Sequence, residues 1–204
     1  MFVETSLIKK VKNHVIKVLS NGLSGDLTYH STHHTLDVVE SANEIASKQN
    51  FSKEEIEILN IAAWFHDIGY IKGNENHEEE GAKIAEEYLL KNECSTDKIN
   101  RVVNCILATK MPQRPKNNLE KTLCDADLMH LADSDYFNKA VLLQKEIEKT
   151  KSCKIPEKQW LEMNEEFLNN HCFFTNYAKR RYEPRVKKNL KKVKERLKKW
   201  QKKK

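Results

Sequence analysis

Apolar residues recur three and four positions apart along almost all of the 204-residue chain, with only five glycines and four prolines to interrupt them. Residues at that spacing share one face of an α-helix, whereas a sheet would need alternation and frequent turn residues. The pattern therefore predicts an all-α fold. A 32% charged content suits helices with solvated outer faces, and the 39% apolar content is enough for one well-buried core.

Caps and breakers place the helices. Thr5 or Ser6 opens a first helix to about Leu19, which "SNGLSGD" ends, and Ser31 or Thr32 opens a second to about Gln49. Ser52 with Glu55 forms a capping box, opening a third helix that ends near Gly69. His77 to Leu90 and Thr96 to Thr109 read as two more, before the irregular link "KMPQRPKNN". Leu119 to Ala132 follows, then a helix from Ser134, its cap, to Lys149. Pro156 occupies a first-turn position ahead of a segment reaching Asn170. Thr175 caps a final helix, which Pro184 is expected to kink or restart. The domain reading is one helical domain over residues 1–184 and a basic C-terminal helix over 185–204. That helix belongs to the same domain or to a dimer contact.

The longest apolar run, Ile61 to Phe65, is far short of the roughly 20 residues that span a bilayer, so no membrane insertion is expected. No leader pattern is read at the N-terminus. Five cysteines without a C-x-x-C pair speak against a disulfide framework and for a reducing, cytoplasmic setting. The net charge of +6 is uneven: residues 185–204 carry 12 Lys/Arg against one Glu, so the remainder is net negative. Within that tail Val186, Leu190, Val193, Leu197 and Trp200 repeat as a heptad seam. Docking on the chain's own core, or pairing in a homodimer, comes before nucleic-acid contact as the reading of this helix. A role at a membrane surface ranks lower still.

Helical phase sorts the ionisable residues. His33 shares a face with Asp37, Glu40 and Glu44, while His34 shares one with Val38, Ala42 and Ile45. A buried imidazole must be hydrogen-bonded or bound to something, which makes His34 a candidate ligand. His66 is in phase with Ile56, Leu59 and Ala63, and Asp67 beside it places a carboxylate near Trp64 and Phe65. Asp127 is in phase with Leu123 and Leu131, whereas Asp125 lies about 200° away around the helix. Two imidazoles and two carboxylates suit one divalent ion such as Mn²⁺, Fe²⁺, Ni²⁺, Co²⁺ or Zn²⁺, and less exclusively Mg²⁺.

His34, the pair His66-Asp67 and Asp127 in "DADL" resemble the H…HD…D signature of the HD superfamily of metal-dependent phosphohydrolases, over roughly residues 29–135. The run "ILATKMPQRPKNNLEKTLCDADLMHLA" is similar to bacterial members labelled predicted HD phosphohydrolases. "YHSTHHT" resembles the Y-H-N-x-x-H opening of cyclic-nucleotide phosphodiesterases. The resemblance implies an all-helical fold and a divalent ion held by His34, His66, Asp67 and Asp127. It also implies hydrolysis of a phosphate ester or anhydride, as a phosphomonoesterase or phosphodiesterase acting on a small phosphorylated substrate such as a nucleotide. On that alignment His30 stands where a protonating histidine is found; Asp67 or Asp127, close to the ion, is expected to orient or deprotonate the attacking water. His77, opening a helix whose N-terminus favours anions, is a further catalytic candidate. Lys83, Lys110 and Arg114 are candidate phosphate contacts. Two-metal members carry further histidines; here His77 is one available donor, but Thr109 stands where another is sought, which argues against a second tight ion. Ile68-Gly69-Tyr70 replaces the acidic pair of alarmone hydrolases, and Ala132 replaces an expected glycine. The alternatives are an ion-bound nucleotide-binding or sensing module without turnover, and a nuclease or nucleic-acid binder using the tail.

Overall fold

The computed structural model of the protein describes residues 4–201, and backbone packing divides the chain after Asp127 into two compact units. Among the described residues all regular structure is helical.

In the first unit, α1 (Ser6–Gly22), α2 (Thr32–Ala46), α3 (Lys53–Phe65), α4 (His77–Lys91), α5 (Thr96–Ala108) and α6 (Asn118–Asp127) enclose one core. α3 is its axis. Every residue from Ile58 to Phe65 is buried, because α1, α2, α4, α5 and α6 all pack against it. A helix apolar on all sides has to lie inside, and this one delivers its C-terminal end into the interior. The start of α3 is fixed by the expected capping box: Ser52 Oγ accepts from Glu55 N while the Glu55 carboxylate accepts from Ser52 N. Thr5 and Ser95 cap α1 and α5 in the same way, accepting from Ile8 N and Lys98 N. Asn43 and Asn60 exchange two hydrogen bonds of 2.9 Å between α2 and α3, which locks the register of those two helices.

Several expected helix ends move. α2 stops at Ala46, not Gln49, and α3 stops at Phe65, before a 3-10 turn at Ile68–Ile71. α6 ends at Asp127, and Leu128–Ala132 continues as a second 3-10 turn rather than as the same helix. Asp125, expected off the core stripe, is fully buried. α6 packs against α2, α3 and α5 together, so burial extends well beyond one stripe of its surface.

The second unit begins with the turn Leu128–Ala132 and continues through α7 (Tyr136–Thr150), α8 (Glu157–Asn170) and α9 (Asn176–Gln201). Asp135, not Ser134, occupies the cap of α7, and Pro156 is the cap of α8 rather than its first residue. Thr175 caps α9 as expected, accepting from Ala178 N. α9 runs unbroken through Pro184, so the expected kink or restart becomes one continuous 26-residue helix, and position 185 lies inside it. Pro184 and Arg180 are both exposed, where solvent can satisfy the carbonyl that the missing N–H leaves free. Val186, Val193 and Leu197 are buried within this unit, against α8 and the 128–132 turn. The inward position between them is Asn189, which donates to Leu131 O at 2.9 Å and Asp133 O at 2.8 Å, while Leu190 is half-exposed. The basic residues Lys202 to Lys204 of the expected tail lie outside the described residues.

No helix among the described residues is long and apolar enough to cross a membrane.

Candidate metal centre

Three helix ends of the first unit meet at four side chains. His34 is the third residue of α2, on the face that Val38, Ala42 and Ile45 continue into the core. His66 still has helical backbone as the C-cap of α3, and Asp67 leaves the helix at φ −108°, ψ 4°. Asp127 is the last residue of α6. His34, His66 and Asp67 are buried, and Asp127 is partly open.

Their reactive atoms converge. His34 Nε2 stands 3.3 Å from Asp67 Oδ2 and 3.4 Å from Asp127 Oδ1. His66 Nε2 stands 3.1 Å from Asp67 Oδ2, 3.7 Å from Asp127 Oδ1 and 3.4 Å from His34 Nε2. An ion bonded at about 2.1 Å separates neighbouring ligands by roughly 3.0 Å in octahedral and 3.4 Å in tetrahedral arrangement, so the observed spacing fits. The chemistry fits as well. Asp67 Oδ2 is buried with no well-formed hydrogen bond, and the groups that approach it are the imidazoles of His34 and His66. A buried carboxylate oxygen without a donor is costly, and a cation is the partner that resolves it.

The surroundings orient these ligands. His66 Nδ1 lies 2.8 Å from Ala63 O; with the proton there, Nε2 turns its lone pair toward the carboxylates. Gln113 donates to Asp127 Oδ2 at 3.2 Å and to Cys124 O at 3.3 Å, leaving Asp127 Oδ1 for the cluster. Burial alone would lower the pKa of His66, but Asp67 and Asp127 outweigh it and hold the imidazole up at about 9. Burial alone would raise Asp67; the imidazoles of His66, His30 and His34 instead keep it below the usual carboxylate range. Asp127 is likewise lowered, against burial, chiefly through its hydrogen bond with His34. Without an ion, the proton held on His66 supplies positive charge that the carboxylates need.

Beside this cluster runs an aromatic stack. Tyr70 lies face to face with His30, ring centres 4.4 Å apart, and with His77 at 4.0 Å. Its hydroxyl is 3.4 Å from His30 Nε2. His77 Nε2 stands 3.8 Å from the second Asp67 oxygen, Oδ1. Gly69 makes this approach feasible: a Cβ there would stand 1.9 Å from His77 O. His30 with His34 and Asp67 forms a second trio of closely spaced donor atoms.

The proposed phosphate contacts lie apart from these contacts. Lys83 is mostly exposed and paired with Glu80 at 2.7 Å, Lys110 pairs with Glu79, and Arg114 is exposed. His33 faces solvent, as helix phase required. His14 is tucked between Phe65 and Tyr88, and burial lowers its pKa. Tyr70 and Gln113 were missed from the sequence. Tyr70 sits in a 3-10 turn where helical phase says nothing, and Gln113 lies in an irregular loop whose path no pattern reveals.

Residues 32–132 match the model of the HD domain family. A crystal structure of a predicted HD superfamily hydrolase from an uncultured Thermotogales bacterium is similar, with a TM-score of 0.64 and 21% identity over 92% of each chain. No curated protein matches the sequence.

Proposed function

The chain belongs to the HD superfamily, and on that premise we propose that its first unit is a metal-dependent phosphohydrolase for a nucleotide or a related small phosphate ester. One observation carries this reading above the others: the buried Asp67 Oδ2 at the focus of His34 and His66, which only imidazoles approach, with Asp127 beside them. His34, His66, Asp67 and Asp127 would hold a divalent ion. Such an ion supplies Lewis-acid polarisation of a phosphate oxygen and eases deprotonation of a water nucleophile near neutral pH.

The remaining work falls to the chain's own side chains. Asp67 Oδ1 points away from the four-atom cluster toward His77, and from there it can orient or deprotonate the attacking water. His30 is half-buried and fixed in plane by Tyr70, so it can hand a proton to the leaving oxygen. His77 opens α4, where Glu78, Glu79 and Glu80 of the same turn offset the helix dipole, so a phosphate contact there rests on the His77 side chain itself. Lys110 and Lys83 reach phosphate only by exchanging their carboxylate partners on α4, and Arg114 has no such partner to leave.

The test is release of phosphate or nucleoside from a panel of mono-, di- and triphosphates, cyclic nucleotides and simple esters, with Mn²⁺, Mg²⁺, Ni²⁺ or Co²⁺. Metal-dependent release that disappears in a folded Asp67→Ala variant is the expected result, and the preferred product identifies monoester or diester cleavage. An ion-loaded protein that releases nothing from any of them would instead be a binding module.

A further inference from the structure

α9 uses its apolar residues inside the second unit and turns an almost uniformly cationic surface outward. At 100° per residue, its outward cations fall into two rows. Arg185, Lys188, Lys192 and Lys199 form one, and Lys187, Lys191, Lys194 and Lys198 form the other, roughly 120° around the helix. Among these, Lys194 alone forms an ion pair within 4 Å, with Glu165 at 3.8 Å, and the carboxylate of Glu195 stands beside the second row without pairing to it. Arg185, Lys188 and Lys192 of the first row line a cleft of about 390 Å³ with Met129, Ala132 and Ser134. The one acid in that cleft, Asp133, is already neutralised by Lys139 at 2.9 Å. The second row borders a shallow groove with Leu190 and Glu195.

Like charges three and four residues apart on a helix destabilise it by about 0.2–0.5 kcal/mol per pair, so the cations are held together at a cost. The ridge extends about 20 Å from Arg185 to Lys199, at 1.5 Å per residue, which is longer than any single phosphate group. A membrane surface fits less well, because Val186, Val193 and Leu197 are buried in the fold and α9 carries no large exposed apolar side chain to insert. We infer that this ridge binds the sugar–phosphate backbone of a nucleic acid, through unpartnered cations and without base recognition. The binding site belongs to the second unit and stands independently of the hydrolase reading.

The experiment is fluorescence anisotropy of the full chain with labelled single-stranded and double-stranded DNA and RNA oligonucleotides between 50 and 200 mM salt, alongside vesicles rich in anionic lipid. About four phosphate contacts predict an affinity loss across that salt range of roughly 150-fold on duplex DNA and roughly 50-fold on single strands. Replacing Lys187, Lys191 and Lys198 together by Glu should abolish binding, and the milder replacement by Gln should weaken it at least tenfold, with the helical circular dichroism unchanged. The four oligonucleotides distinguish the strand and sugar preferred. The inference is overturned if no oligonucleotide binds at 50 mM salt, if the Gln variant binds like the parent, or if only the vesicles are bound.

Discussion

At the residue scale the centre rests on charge compensation in a small buried volume. With no ion, a proton on His66 compensates the carboxylates, and that proton is held up to a pKa of about 9 against the ordinary 6.5. A divalent ion must displace it. The raised pKa stabilises the ion-free fold fully below pH 6.5, and that stabilisation is lost as pH climbs through about 9. Ion affinity follows the opposite course, rising up to about tenfold per pH unit for each proton displaced. The gain in melting temperature on adding Mn²⁺ should therefore grow from pH 6.5 to 9, and a flat profile would remove His66 from the ligand set. Gln113 offers a second check, since it steers Asp127 without belonging to the cluster. Gln113→Ala should lower metal affinity about 10–100-fold, the usual effect of losing an outer partner of a ligand, while leaving the fold intact. Titration calorimetry reads this directly.

At the element scale, two contacts bring the ligands together. The α2–α3 register depends on the Asn43–Asn60 pair, so Asn60→Ala, which strands a carboxamide in the interior, should cost about 1–3 kcal/mol in urea unfolding. Gly69 permits the 3-10 turn to touch the first turn of α4; Gly69→Ala forces His77 O to move and should destabilise by about 3 kcal/mol, with weaker metal-dependent activity than Gly81→Ala. The Gly81 contacts, at 3.2 Å or more, need only small adjustment. Much at this scale was legible in the sequence. Helix starts at Thr5, Ser52 and Thr175 were readable because capping is local, and His34 was separable from His33 because phase is local too. Helix ends were less readable: α3 and α6 give way to 3-10 turns just where the site is built, under tertiary packing that no short window reports. For the same reason Asp125 was misplaced and Tyr70 overlooked. The seam of α9 was right in its period but took Leu190 for the inward residue, where Asn189 serves the carbonyls of the 128–132 turn.

At the scale of the whole molecule, the two units carry different chemistry: a buried centre of opposite charges in the first, an outward cationic helix in the second. Thiols report on the first unit's integrity without touching the site. Burial pushes the Cys105 thiol up to about 12 and raises Cys124 further, while Cys153 and Cys172 are exposed. At pH 8 a thiol reagent should label those two rapidly and reach Cys105 and Cys124 only on unfolding, with divalent ion slowing that step. Labelling of all five at one rate would contradict the burial of the α5–α6 contact. The chemistry of the first unit depends on His34, His66, Asp67 and Asp127 forming a single metal site. The most direct measurement is metal content and binding stoichiometry, by elemental analysis and calorimetry, of the intact protein beside His34→Ala, Asp67→Ala and Asp127→Ala. One divalent ion per chain, lost or weakened at least about 100-fold in each folded variant, is the predicted result. An intact protein that takes up no divalent ion, or variants that bind it as well as the parent, would contradict it.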